Sequence, residues 1–288
     1  MNLLYKSLLA RNVLRSPCKD IFSATTLETS MNTKLIATAV LSSLVAPLSV
    51  LAADVPATPE HSFTGNLTLA SEYIYRGIGQ TNRKPALQGG LDYAHASGLY
   101  AGVWGSNVSW LSDLGGISSS VEIDVYGGYK GNFTEDLSYD VGVLTYNYPG
   151  SYPSGFTKAD TTEVYAGLGW KWLSAKYSHT VSSHIFGWTG SNGTDKTRGS
   201  GYLELNASHD LGDGWGIEGH VGRQRIKNNS DASYTDWKVG VTKEVSYGTF
   251  GLAYVDTNAK GDAGEPYRNA FNKDLGKGRL LATFSKSF

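Results

Sequence analysis

The chain has 288 residues, 25 basic against 26 acidic, one cysteine, and a mean hydropathy of -0.26. This balance excludes the basic footprint of a nucleic-acid partner, and a lone cysteine excludes a disulfide framework. Gly 35, Tyr 18 and Trp 7 in a chain of negative hydropathy suit strands that alternate lipid-facing with water-facing residues.

In chain order, the first apolar segment follows Met31-Asn-Thr-Lys34 and runs from Leu35 to Leu51, ending at Ala52-Ala53-Asp54. A basic start, an apolar run and small residues at its end read as a secretory signal peptide over residues 31–52. As a transmembrane anchor the run is short, at about 17 residues against a requirement of about 20. Residues 1–30 read as a start site assigned too far upstream, or as a disordered extension, and they carry the only cysteine, Cys18. Removing residues 1–52 takes five of the 25 basic and two of the 26 acidic residues, which leaves 20 against 24. Residues 53–61 then form a short periplasmic segment and 62–288 the folded body. After Leu51 no stretch is apolar and long enough for a membrane-spanning helix.

From Phe63 onward, segments of period-two alternation recur between turn signals, and twelve are counted. The first, Phe63 to Tyr75, sets Phe63, Leu67, Leu69, Tyr73 and Tyr75 against Asn66, Thr68, Glu72 and Arg76. The second sets Leu87, Leu91 and Tyr93 against Gln88 and Asp92, and the third, Leu99 to Val108, has an ambiguous facing. The fourth opposes Val121, Ile123, Val125 and Tyr129 to Glu122, Asp124, Tyr126 and Lys130. The fifth to eighth place Asp140, Glu163, Lys176 and Glu204 on their polar faces, and the ninth places Glu218, His220 and Gln224 there. The last three lie around Trp237 to Val241, Phe250 to Val255, and Leu280 to Phe288. Short turns such as His95 to Gly98 and Val245 to Gly248 alternate with long connections such as Ser109 to Ser119 and Val181 to Ser200. An even strand number, short-long alternation and a terminal aromatic strand predict an all-β fold, a transmembrane antiparallel barrel of about 12 strands in a Gram-negative outer membrane. Tyr73, Tyr75, Tyr93, Tyr139, Trp170, Trp172, Trp215, Trp237 and Phe288 are expected at the interfaces.

The polar faces give the expected lumen lining: Glu72, Arg76, Asp92, Glu122, Asp124, Lys130, Asp140, Glu163, Lys176, Glu204, Glu218 and Lys238, with Asp236 and Arg279 beside them. Acids outnumber bases in this set, and a water-filled lumen with that bias attracts cations. The same groups could instead pair across the barrel and block it. Phe284 and Phe288 are read as the assembly signal, engaging the barrel-assembly machinery through the C-terminal strand. Arg223 and Arg225 alternate onto the outer face toward the long loops, where lipopolysaccharide phosphates would meet them.

Several segments resemble the TorF-type porin family of proteobacterial outer-membrane proteins: Tyr73-Ile-Tyr-Arg-Gly-Ile-Gly-Gln-Thr81, Pro85 to Tyr93 with Gly98 to Asn107, Glu122 to Tyr129, and Leu137 to Gly150. The likeness is strongest from Phe63 to Trp170 and continues more thinly to Phe288. It implies an outer-membrane location and a pore, and it brings no catalytic or binding residues.

Catalytic patterns are absent. There is no Gly-x-Ser-x-Gly elbow, His209 and His184 read as solvated surface residues, and the loop from Asp256 fails as a calcium loop because Lys260 and Tyr267 occupy ligand positions. The expected function is a porin-like channel for passive diffusion of small hydrophilic solutes, leaning toward cations, with no cofactor, no metal and no nucleic acid. A plugged structural barrel and an outer-membrane enzyme with a rim site remain the alternatives.

Overall fold

Strand β1 (His61–Ala70) exposes Phe63, Leu67 and Leu69 while burying Asn66 and Thr68. This inverts the pattern of a water-soluble protein, and it recurs around the whole molecule. In the computed structural model, which describes residues 59–288, the chain continues through a two-residue pair, β2 (Ile74–Tyr75) and β3 (Ile78–Gly79). Then follow β4 (Ala86–His95), β5 (Leu99–Asn107), β6 (Val121–Asn132), β7 (Leu137–Asn147), β8 (Thr161–Trp170) and β9 (Leu173–Thr180). The last are β10 (Gly201–Gly212), β11 (Trp215–Arg225), β12 (Tyr234–Val245), β13 (Gly248–Thr257) and β14 (Arg279–Ser287). The expected signal peptide and upstream segment lie outside the described residues.

Strands β1 and β4 to β14 form one closed antiparallel barrel of twelve strands, and each neighbour in sequence is a neighbour in space. Closure runs through β1 and β14, from Asn66↔Ser287 to Ala70↔Thr283. Beyond Ser287, Gly65 and Phe288 exchange two backbone hydrogen bonds of 2.8 and 3.0 Å. The Phe288 ring lies on Gly65, where any Cβ would run into it. A side chain at Gly65 would have to displace that ring. With closure, every strand edge is paired, as a sheet without water on its outer face demands.

The strand faces follow from the sequence period. On β6, Val121, Ile123 and Val125 are exposed, while Glu122 and Asp124 are 1% and 0% exposed. The outer belt includes Leu91, Leu168, Leu205, Leu252 and Leu280. Rings gather at its margins. At the short-turn end Phe63 lies 5.2 Å from Tyr93, Phe133 4.6 Å from Tyr139 and Phe250 4.9 Å from Phe284, with Trp170, Trp172 and Trp215 about half exposed. At the long-loop end Trp237 and Tyr254 lie 5.4 Å apart. The facing left ambiguous for the third predicted strand is settled by Trp104, which points inward at 4% exposure.

Two of the expected interfacial aromatics are elsewhere. Strand β1 ends at Ala70, not Tyr75, and Tyr73 and Tyr75 turn into the lumen, where Tyr73 is 5% exposed. Alternation continues through both residues, because the short strand β2 keeps the period of two after the chain has left the wall. Their hydroxyls explain the preference: inside they find Glu122 and Tyr146, and in lipid they would find nothing.

Candidate functional site

The chain from Ser71 to Lys84 folds inward as a hairpin. Arg76 (φ +46) and Gly77 (φ +79) form its two-residue tip, both left-handed as a tight primed turn requires. At Gly77 there is no room for a side chain, since a Cβ would lie 2.6 Å from that of Asp236 on the barrel wall. At the base, Arg279 donates to both carboxylate oxygens of Glu72 at 3.1 and 3.2 Å, and the Arg83 N–H donates to Glu72 Oε1 at 2.9 Å.

Arg76 crosses the lumen. Its Nη2 donates to Glu163 Oε2 at 2.7 Å, and its Nη1 donates to Glu163 Oε1 at 3.1 Å and to Gln224 Oε1 at 2.9 Å. The guanidinium also lies 4.3 Å from the Tyr202 ring centre. This is a two-pronged charge-assisted contact with an aromatic backing. Tyr73 donates to Glu122 at 2.8 Å and meets Trp104 edge-on at 5.6 Å, and Tyr75 meets Tyr146 at 5.7 Å. Loop residues Leu111, Ile117 and Tyr148 pack on the same cluster, and Ile78, Tyr234 and Tyr267 form another beside it. The outer half of the lumen is thus filled by side chains from the hairpin and the long loops.

The carboxylates of the wall divide into two groups. From β8 round to β14 three are paired with Arg or Lys: Glu163 with Arg76, Glu204 with Lys176 at 3.4 Å, and Glu218 with Lys238 at 3.1 Å. Asp236 lies 3.0 Å from His220 Nε2, and Tyr202 donates to both its oxygens. Glu72 at the hairpin base belongs with them through Arg279. On β4 to β7 the partners are neutral. Tyr126 donates to Asp92 at 2.5 Å, Tyr100 donates to Asp140 at 2.6 Å, and Tyr73 and Tyr148 donate to Glu122 at 2.8 and 2.9 Å. Lys130 is the cross-strand neighbour of Asp140 but lies against the Tyr100 ring. Both oxygens of Asp124 are buried and have no hydrogen-bond partner among the described residues.

Sequence patterning brought out the charged members of this arrangement and missed the tyrosines. Tyr73, Tyr100, Tyr126, Tyr146, Tyr148 and Tyr202 hold the carboxylates, and strand period alone marks only some of them as inward. His220, between Asp236 and Asn206 (2.6 Å to Nδ1), belongs to the same network. Phe284 and Phe288 lie on the outer face of the closing strand, with Phe284 packed on Phe250. Arg223 and Arg225 are exposed on β11, and Arg223 donates to Thr235 Oγ1 at 3.1 Å. At the short-turn rim the ligand atoms of Glu60, His61 and His95 lie within 4.8 Å of one another.

A closed antiparallel barrel with an even number of strands, an apolar outer belt, aromatic margins and a polar, charged interior is an outer-membrane β-barrel. Its short turns mark the periplasmic end and its long loops the outer end. The chain belongs to the Gcw_chp family, described as bacterial proteins of unknown function, which it matches over residues 54–288. No curated protein matches it by sequence. Among solved structures it is similar to the KdgM porin at 9% identity and a TM-score of 0.48, covering 78% of this chain and 98% of that one. It is also similar to the NanC porin at 11% and 0.44, covering 78% and 98%. An outer-membrane channel from Pseudomonas putida F1 is similar at 14% and 0.45, covering 83% and 100%. Likeness at this level transfers no function.

Proposed function

We propose that the protein is a narrow outer-membrane channel for passive passage of small hydrophilic solutes, preferring cations, with the inserted hairpin as its constriction. The division of the lumen wall carries this reading. Carboxylates paired with Arg or Lys would brace a plug and present little net charge. Asp92 and Asp140 instead accept from tyrosine hydroxyls and form no ion pair among the described residues, so the β4 to β7 wall keeps a negative field along the lumen. The TorF-type likeness agrees with this reading. Lipopolysaccharide phosphates would contact Arg223 and Arg225, and the assembly machinery would engage the strand ending at Phe288.

A second reading is a sealed structural barrel, favoured by the burial of Arg76 and Glu163 across the lumen, with side chains 8% and 1% exposed. Planar-bilayer recording of protein purified from outer membranes, under a potassium chloride gradient, separates the two. Discrete steps with a cation-selective reversal potential are expected. Anion-selective steps would overturn the charge argument, and silence from a heat-modifiable, folded barrel would favour the sealed one.

A further inference from the structure

At the periplasmic rim the ladder between β1 and β4 brings three ligating side chains together. His61 and His95 are direct cross-strand partners, and one step beyond them the Ala96 N–H donates to the Glu60 carbonyl at 2.9 Å. The two imidazole rings lie 5.2 Å apart, and His95 Nε2 is 3.6 Å from Glu60 Oε1. One ligand atom from each of the three residues falls within 4.8 Å of the others. Alternation puts both histidines on the outward face, one pair past Phe63 and Tyr93, so they stand at the edge of the aromatic margin and not in the lumen. The place is open to water, since the His95 and Glu60 side chains are 28% and 74% exposed.

Two imidazoles and a carboxylate suit a divalent transition ion such as zinc, which takes His nitrogen and Glu oxygen at about 2.0–2.2 Å and can leave its fourth position to water. Ligand atoms around such an ion stand roughly 3.3–3.6 Å apart. The contact between His95 and Glu60 already has that spacing, and the rest closes by rotation of the exposed His61 side chain. Magnesium and calcium ask for more oxygen ligands than one carboxylate supplies. Each ring also has a partner for its second nitrogen: Tyr93 Oη lies 3.0 Å from His61 Nδ1, and Ser97 Oγ lies 2.7 Å from His95 Nδ1. Both hydroxyl oxygens can accept the Nδ1 proton, which frees the Nε2 lone pair and fixes the ring, as the partners of metal-bound histidines do. In the ion-free ring the Ser97 N–H donates to His95 Nδ1 at 3.1 Å, so binding moves the His95 proton from Nε2 to Nδ1.

We propose that Glu60, His61 and His95 form a three-ligand site for a divalent transition-metal ion at the periplasmic rim, clamping the start of β1 to the end of β4. The site goes beyond the channel reading, does not need an open lumen, and departs from the expectation of no metal drawn from the sequence. The probe is zinc chloride, titrated calorimetrically into the untagged, detergent-solubilised barrel purified from outer membranes. Saturable binding of one zinc ion per barrel is expected. Affinity should fall by at least about ten-fold in His61→Gln and in His95→Gln. It should be unchanged in His209→Gln, which removes an exposed histidine near the β10–β11 turn. Equimolar magnesium should not displace zinc, because imidazole favours the softer ion. If His95→Gln lacks the heat-modifiable mobility of a folded barrel, His61→Gln at the exposed start of β1 tests the site alone. Absence of saturable zinc binding, wild-type affinity in the folded histidine variants, or displacement by equimolar magnesium would overturn the proposal. Zinc binding by an electrically silent barrel would overturn the channel and leave this site standing, whereas cation-selective conductance without zinc binding would do the reverse.

Discussion

Replacing Arg76 with alanine should open the constriction. The substitution deletes a bidentate ion pair, a bond to Gln224 and the guanidinium contact with Tyr202, and it strands Glu163, whose side chain is 1% exposed. Removing one partner of a buried pair costs about 3–5 kcal/mol. The lower end applies here, because the Tyr146 hydroxyl still donates to Glu163 at 3.2 Å and lumen water can reach the vacated space. About 3 kcal/mol shifts the docked-to-released equilibrium of the hairpin by roughly two decades. The barrel itself should survive, since the β1–β4 ladder runs unbroken from His61↔His95 to Ala70↔Ala86 without the hairpin. Arg76→Gly should release the hairpin less than Arg76→Ala, because glycine relieves the left-handed backbone at φ +46 by about 1 kcal/mol. The assay is single-channel recording of the three proteins. Longer or larger open events are expected in the order alanine, glycine, wild type, and Arg76→Ala combined with Glu163→Ala should show non-additive coupling. Identical conductance and open fraction in folded wild type and Arg76→Ala would refute the role given to this pair.

Gly77→Val should act in the same direction as Arg76→Ala, because a Cβ at φ +79 meets Asp236 and lifts the tip from the wall; recording under the same conditions checks it. The pair Asp92→Asn and Asp140→Asn should move the reversal potential toward zero without closing the pore, and an unchanged potential would show that the β4 to β7 wall does not set selectivity. Leu91→Arg places a charge on the lipid face in the middle of β4 and should cost about 2–4 kcal/mol in denaturant unfolding from vesicles. Deleting Phe288 removes both hydrogen bonds to Gly65 and the ring that covers it, so the yield of heat-modifiable barrel in outer membranes should fall while export continues. Gly65→Leu should reproduce that defect with the C-terminus intact.

Strand faces were legible in the sequence because lipid selects every second residue and the pleat repeats with the same period. Val121-Glu-Ile-Asp-Val125 leaves only one way round for β6, and the alternation of short and long connections supplied the strand count without any contact being known. At Tyr73 and Tyr75 the same rule misled, since period two describes a strand but does not say which wall it belongs to. Only closure of the barrel decides that Ala70 is the last wall residue and that the next segment turns into the lumen, where Arg76 meets Glu163 and Glu72 meets Arg279. Those partners are separated by 87 and 207 residues. The electrostatic character of the lumen depends on which carboxylates find a cation at such separations and which, like Asp124, find none. Local pattern specified the wall because each residue there answers to lipid or water alone. The interior answers to partners brought together by the circumference of the barrel, and that is a property of the tertiary structure.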